Sequence, residues 1–429
     1  MKRITAYIQA SRIFVGGLLY LKKSYAAKKE IQFRKLKKLL QTAYDTTEFY
    51  RERFDSLGIK PRDIRTAEEF SRIPVLTRQE LRENFPGRIV NRKYLGGKDC
   101  YAVSTSGSTG EPVTVYKSLV AALAPVSLAS AAFSGTTGMG SPRIMTILVY
   151  AKETVENLLT GFLASVRKDL CMRVNLLDGV ESSIEAINSF RPTILLTYPS
   201  VLRDIAFQLE KTGMTVFSPR YIYTTGEVLE KGMPEQMKKF FPGSLILNAY
   251  FCTEAGIIAA QCSEGRTMHL FLNNVFVETG EEGSIIVTDL NNLATPIIRY
   301  NGLHDMVRIS KGRCDCGIEG ETLDVIEGRR ADSVITASGD IINPFRLTEI
   351  ISTIEGVAKY QIIQRERGSI LVKVISLPWM ETRERIEEEI IAGLNGLFRG
   401  SMGIRVVFVE TIERDPSSGM FRLVISETP

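Results

Sequence analysis

The stretch TILLTYPSVLRDIAFQLEKTGMTVFSPRYIYTTGE, residues 193–227, decides the fold class. The apolar run 194–198 predicts a strand, the apolar spacing over 201–211 predicts an amphipathic helix, and RYIYTTG returns to a buried strand. Strand, helix and strand in that order imply parallel pairing under a covering helix. The same alternation extends outward. RIMTILVY, a helix at 155–166, CMRVNLL and a helix at 182–190 precede it, and SLILNAY follows it. These units predict an α/β body with a largely parallel sheet.

Beyond Phe271 the pattern changes to short alternating strands such as GSIIVTDL and MVRIS, a β-rich addition to that body. A stretch rich in Gly, Arg and Asp at 328–344 reads as a hinge. After it the sequence predicts a helix at 344–354, two strands, a helix in ETRERIEEEIIAGLNGLF, and strands in IRVVFVE and FRLVIS, which together make a small α+β domain. Upstream, 31–57 reads as a helix, and IPVLTRQELREN as a turn followed by a helix with Thr77 as N-cap and Glu80 at N3.

The bulk numbers exclude several classes. With 429 residues the chain is long enough for one large and one smaller domain or for two or three ordinary ones, and 44% hydrophobic and 24% charged residues are the composition of a globular protein. A net charge of +5 is mild, and no Lys/Arg run interleaves with aromatics, so no nucleic-acid partner is expected. The basic N-terminus surrounds an apolar patch at 13–21 that is far shorter than the roughly 20 residues a membrane span needs. It reads as a helix packed on the protein's own body rather than a membrane contact. Six cysteines with no secretory signal point to a reducing, cytoplasmic setting.

Three motifs carry chemistry. STSGSTGEPVTVY, 104–116, packs glycines and hydroxyls into a turn ahead of a β-branched run, and such loops turn backbone N–H groups toward an anion. A phosphate grip and a plain surface turn both fit that composition. A similar stretch, SGTTGMGSP at 134–142, follows an apolar helix-like run instead. YTTGE (223–227) and NAYFCTEAG (248–256) end successive predicted strands, where open α/β sheets present their ligand crevice. Tyr250 is placed to stack on a base, Thr253 to donate to a phosphate and Glu254 to hold Mg2+.

Taken together, FYRERF, IPVLTRQELREN, the Ser/Thr/Gly loop, TYPSVL, TTGE, YFCTE, PIIRY and GRRAD resemble the adenylate-forming (acyl-CoA synthetase) superfamily, and in particular its phenylacetate-CoA ligase-like branch. The resemblance spans nearly the whole chain and favours the loop at 104–110 over the one at 134–142. It implies a large N-terminal AMP-binding domain, 1–327, and a small mobile lid, 328–429, swinging about a hinge near Asp332. It further implies ATP contacts from Ser106, Gly107, Ser108, Thr109 and Gly110, adenine beside Gly226, Glu227 and Tyr250, ribose on Asp305, and assistance from Arg329. Magnesium falls to Glu254, with Thr253 beside it. The implied chemistry converts a small carboxylic acid, an aryl acid by the branch's pattern, to an acyl-adenylate and then passes it to coenzyme A. A homodimer is usual in such proteins.

Cys262, His269, Cys314 and Cys316 supply three thiolates and an imidazole, the donor set of a closed structural zinc site; the alternative is free buried cysteines. Some members of the branch carry a similar zinc clasp. No G-x-S-x-G elbow is present, which disfavours a hydrolase. Cys252 reads as a small buried residue rather than a nucleophile.

The informative departure is Met420 in ERDPSSGMFRLVIS, where the family pattern has the lysine that reaches the substrate carboxylate and α-phosphate. A thioether cannot replace that cation. Another cation (Lys117, Lys311 or Lys373), a lost adenylation step or an engineered change are the alternatives this leaves. Separately, the resemblance also fits a relative that passes its acyl group to an amine, a sugar or a carrier protein. Phe251 in place of the family's glycine and Glu111 in place of its loop lysine are smaller departures.

Overall fold

The computed structural model describes residues 19–20, 22–97, 99–105, 112–118, 121, 142–149, 170–264, 267–327, 333–377, 383–415 and 421–427. The apolar patch up to residue 18, the loop residues 106–111, the stretch 134–141, the predicted helix at 155–166, Arg329, Asp332 and Met420 lie outside them.

In chain order the helices used below are α1 (Tyr25–Thr46), α2 (Glu48–Ser56), α3 (Arg78–Asn84), α4 (Val180–Phe190), α5 (Pro199–Thr212), α6 (Pro344–Ile351) and α7 (Arg383–Phe398). The first strands are β1 (Cys100–Ser104), β2 (Thr114–Ser118), β3 (Ile144–Leu148), β4 (Cys171–Asn175), β5 (Ile194–Thr197), β6 (Tyr221–Thr224) and β7 (Leu245–Cys252). Next come β8 (Gly256–Gln261), β9 (Met268–Leu270), β10 (Val275–Thr279), β11 (Ile285–Asp289), β12 (Met306–Arg313) and β13 (Glu319–Glu327). The last are β14 (Val334–Ile335), β15 (Ile341–Ile342), β16 (Val357–Gln364), β17 (Ser369–Ser376), β18 (Gly403–Phe408) and β19 (Val424–Ser426).

The chain forms two compact units. One comprises Arg143–Val149, Met172–Asn248 and Val325–Pro429. Here the predicted parallel pairing is present: β3 pairs with β5, β5 with β6, and β6 with the first half of β7, all parallel. Their side chains join those of α4 and α5 in one core that includes Met145, Ile184, Leu195, Ile205, Ile222 and Ile246. Pro199 opens α5, where its missing N–H costs nothing, and Gly213 at φ 71° closes it in the left-handed conformation glycine favours.

The same unit holds the C-terminal sheet, ordered β18-β17-β16-β19, antiparallel at its centre and parallel at both flanks. Leu347, Val372, Ile390 and Leu394 fill the core it shares with α6 and α7. Gly393 brings α7 close to α6, since a Cβ there would stand 2.5 Å from Cγ2 of Ile350. The helix–strand–strand–helix–strand–strand order is the one the sequence predicts.

The other unit comprises Met1–Pro142, Tyr150–Cys171 and Ala249–Asp324. The single helix expected over 31–57 is two helices. Thr47 between them is extended (φ −122°, ψ 142°), and its hydroxyl accepts the N–H of Tyr50 at 3.3 Å, ending one helix and capping the next. Thr77 and Glu80 form the reciprocal capping box at the start of α3, as the sequence predicts. The β-rich addition is antiparallel: the second half of β7 pairs with β8, β8 with β9, and β9 with β13. Among the described residues no helix is long and apolar enough to cross a membrane.

Candidate functional site

The motif NAYFCTEAG ends a strand, as the sequence predicts, and the chain then turns back in a hairpin. β7 pairs with β8 down to Cys252 opposite Gly256, with a register shift between Tyr250 and Phe251, and Gly256 takes φ 73°. Thr253 and Glu254 therefore lie in the hairpin turn, Thr253 half-buried and Glu254 buried. Asn274, fully buried, donates its amide to the carbonyls of Ala255 at 2.9 Å and Ile257 at 2.6 Å, which fixes the far side of this turn. Nothing in the sequence marked Asn274 for this role.

Glu254 accepts a hydrogen bond from the hydroxyl of Tyr300 at 2.8 Å. Burial and the Glu254 carboxylate hold the Tyr300 phenol well above its ordinary range, so it stays a donor. Tyr300 belongs to PIIRY, a segment fastened on both sides. Leu76 N–H donates to Arg299 O at 2.8 Å, while Tyr300 and Val287 exchange backbone bonds at 2.8 and 2.9 Å. Arg299 is left-handed (φ 53°), an uncommon state for a side-chain-bearing residue. Its guanidinium ties down Glu278 at 3.1 Å and the carbonyls of Ser71 and Ile73.

Asp305 accepts from the Tyr250 hydroxyl, so the two residues expected at ribose and base are joined to each other. His304 beside it is exposed and left-handed at φ 60°. Cys252, half-buried, accepts the N–H of Ala255 at 3.2 Å, and desolvation raises its thiol above the ordinary range. Lys117 is buried on β2, where its charge acts on Asp289, and the Lys311 ammonium lies over the Tyr25 ring at 4.7 Å. Each is engaged with its own unit. Lys373 faces Gln361 across β17 and β16.

The four expected metal ligands come together. Cys262 follows β8, His269 sits in β9, and Cys314 and Cys316 form the β12–β13 turn, with all four ligand atoms within 4.8 Å of one another. The separations Cys262 Sγ to Cys314 Sγ, 3.7 Å, and Cys316 Sγ to His269 Nε2, 3.4 Å, can be compared with a tetrahedron. Bonds of about 2.3 Å to sulfur and about 2.0 Å to nitrogen give edges of about 3.8 and 3.5 Å. The donor set therefore fits Zn2+. Burial and Lys28 lower the His269 pKa, which keeps the imidazole neutral, the form that ligates. His269 Nδ1 is buried without a hydrogen-bond partner.

In the other unit, Gly226 is exposed at φ 76° while the Glu227 side chain is only 5% exposed. Its carboxylate accepts from the backbone of Ser200 at 2.9 Å, the Ser200 hydroxyl at 2.9 Å and the backbone of Phe421 at 2.7 Å. Arg414 stands 3.6 Å away and also binds Asp204 at 2.6 Å and Ser200 Oγ at 2.7 Å. Lys359 pairs with Asp204, and Arg203 with the buried Glu230. Burial lowers the Lys359 pKa to about 8, with Arg414 and Arg203 adding to the effect. Burial likewise pushes the Glu227 carboxyl up, opposed by Phe421, Arg414 and Ser200. The sequence suggested Glu227 as a border for adenine; the structure gives its carboxylate to protein partners. Tyr223 in β6 and Ala249 in β7 are buried.

Residues 34–273, more than half of the chain, match the family described as AMP-binding enzyme, and 334–427 match the CapK C-terminal domain. A phenylacetate-coenzyme A ligase of Thermus thermophilus is 26% identical over 365 residues, 79% of this chain and 79% of that protein. The enzyme of the same name from Escherichia coli is 26% identical over 380 residues, covering 80% and 81%. A solved 2-hydroxyisobutyryl-CoA ligase in the postadenylation state shares the fold, with a TM-score of 0.78 at 16% identity over 95% of this chain and 91% of that one. With the parallel α/β core, the hairpin carboxylate and these matches in agreement, the chain belongs to the AMP-binding enzyme family and is a phenylacetate-CoA ligase-like member of the adenylate-forming superfamily.

Proposed function

We propose that the protein is an ATP-dependent, AMP-forming ligase that activates a small aryl carboxylic acid and transfers the acyl group to coenzyme A. In the first half-reaction a carboxylate oxygen of the acid attacks the α-phosphorus of ATP, the α–β phosphoanhydride breaks and pyrophosphate leaves. In the second, the thiolate of coenzyme A attacks the acyl carbon and AMP departs. The observation that carries the reading is the buried Glu254 carboxylate, held in its hairpin turn by Tyr300, within a chain that matches AMP-binding enzymes over 34–273.

By family position, Ser106, Gly107, Ser108, Thr109 and Gly110 receive the phosphates, Gly226, Glu227 and Tyr250 border adenine, Asp305 takes the ribose hydroxyls and Arg329 assists. Glu254, with Thr253 beside it, would hold Mg2+, which supplies charge neutralisation on the phosphates. The Cys262, His269, Cys314 and Cys316 cluster would hold a structural Zn2+ that fastens the β8–β9 hairpin to the β12–β13 hairpin. We assign 1–327 to the AMP-binding domain and 328–429 to the lid, and place the protein in the cytoplasm, where its six cysteines, all free of disulfides, stay reduced.

Met420 stands where the family lysine would neutralise charge building on the α-phosphate. Absence of such a cation commonly slows a step by roughly 10²- to 10³-fold. Acid-dependent ATP–pyrophosphate exchange over a panel of aryl, fatty and amino acids, run beside Met420→Lys, tests the reading. Exchange with an aryl acid, faster in the lysine form, is expected. No exchange by either form with any acid would overturn the ligase reading. Exchange without a coenzyme A thioester would move the acceptor to an amine, a sugar or a carrier protein.

A further inference from the structure

Six ionisable groups gather in one unit between α5, the turn after β6 and the C-terminal residues: Arg203, Lys359 and Arg414 against Asp204, Glu227 and Glu230. Three cations meet three anions, so the cluster is charge-balanced and holds no net charge to offer a ligand. Its partners come from two parts of the chain. Arg203, Asp204, Glu227 and Glu230 belong to 199–230, whereas Lys359, Arg414 and the N–H of Phe421 belong to the C-terminal region. Two further bonds join residues just beyond 230 to the C-terminal region: Gln236 donates to the carbonyl of Ser352 at 2.6 Å, and Lys231 pairs with Glu349 at 3.3 Å.

Arg414 is the centre of this arrangement. Its planar guanidinium reaches Asp204, Ser200 Oγ and Glu227 together, a fork that a lysine ammonium does not reproduce. Glu227 in turn spends its two oxygens on Ser200, Arg414 and the backbone of Phe421, the residue that directly follows the position of the family lysine. We propose that Arg414 is a positioning residue that seats the C-terminal segment at residues 410–415, together with Phe421, on the turn carrying Glu227, with Asp204 and Glu227 as its receptors. Glu227 accordingly serves docking of that segment through its carboxylate, and the turn meets nucleotide through its backbone. Arg414 does not stand in for the missing lysine as a free cation, because two carboxylates already neutralise it.

The amide of Phe421 reports the seat directly, and hydrogen exchange needs no substrate, so failure here is separate from failure of the ligase reading on which the nucleotide role of the turn rests. In Arg414→Ala the protection of the Phe421 amide is expected to fall at least tenfold, while amides within the β16–β17 pair, such as Ile362 and Val372, keep theirs. Arg414→Lys restores part of it. Asp204→Asn, which removes one receptor charge, moves Phe421 in the same direction and serves if Arg414→Ala does not fold. In a chain that turns over, pyrophosphate exchange falls in parallel with the lost protection, with equilibrium binding of MgATP unchanged. Phe421 protection within twofold of the parent in a folded Arg414→Ala or Asp204→Asn variant overturns the proposal.

Discussion

The Tyr300 hydroxyl lies 2.8 Å from Glu254, and the space it occupies exists because residue 302 has no side chain: a Cβ on Gly302 would stand 2.3 Å from that hydroxyl. Two substitutions separate the hydrogen bond from the space. Tyr300→Phe keeps the ring and leaves a buried carboxylate without this donor, at a cost of about 1–3 kcal/mol. Gly302→Ala must displace the ring itself, since its Cβ would also meet Cζ at 2.4 Å, and overpacking of this kind costs about 1–3 kcal/mol or more. Both are expected to weaken MgATP binding measured by calorimetry. Unchanged affinity in folded Tyr300→Phe would detach Tyr300 from the nucleotide site.

Asn274 holds the turn from the opposite side. Replacing it with Asp removes both amide donors and sets a carboxylate against the carbonyls of Ala255 and Ile257. Loss of two buried bonds and the repulsion that follows predict a drop of about 2–4 kcal/mol in unfolding free energy, read by denaturant titration. A drop under 1 kcal/mol would mean that the hairpin turn holds itself.

Asp289 gives a pH signature. Burial raises its carboxyl to about 6, against the opposing charge of Lys117 and the N–H bonds from Asn291 at 2.9 Å and Asn292 at 3.2 Å. A raised folded pKa means that the folded state binds the proton more tightly than the unfolded chain. The stabilisation is therefore full below about pH 4, is lost as pH rises through about 6, and is flat above. Asp289→Asn keeps an acceptor for both N–H groups and cannot titrate. The stability of the parent relative to this variant should fall by about 3 kcal/mol between pH 4 and pH 7, a shift of roughly two pKa units. A difference that does not vary with pH would place the folded pKa near the unfolded one.

Metal analysis of the purified chain should find one zinc per molecule. Cys316→Ser or His269→Ala should lose it, and chelation should lower the thermal midpoint of the parent by several degrees while leaving those variants unmoved. Full stability after chelation would return the four residues to ordinary buried thiols and a buried imidazole.

The α/β body was legible because its strands are continuous apolar runs and its helices carry apolar residues at helical spacing, as in TILLTY followed by 201–211. The helix break at Thr47 was missed because apolar periodicity runs through it, and only the hydroxyl cap ends it. The hairpin at Cys252–Gly256 was missed for a related reason: YFCTEAG has the apolar flank of a strand end, and a register shift with a positive-φ glycine turns the chain back. The four residues of the Cys/His cluster were readable one by one. The supports around Glu254 and Glu227 were not. Tyr300 stood inside a quoted motif without a role, and Arg414 lies 210 residues from Asp204, a pairing that no local pattern encodes.

The ligand cluster also fixes an order of assembly. Its first ligand, Cys262, and its last, Cys316, bracket β9 to β12 and the PIIRY segment, so a nascent chain has no complete donor set until residue 316 has been synthesised. β9 can pair with β13 only after that same point, through His269 opposite Thr322. The segment that supports Glu254 is thus made before the last residue of the cluster, and folding of this part of the chain should arrive late during synthesis.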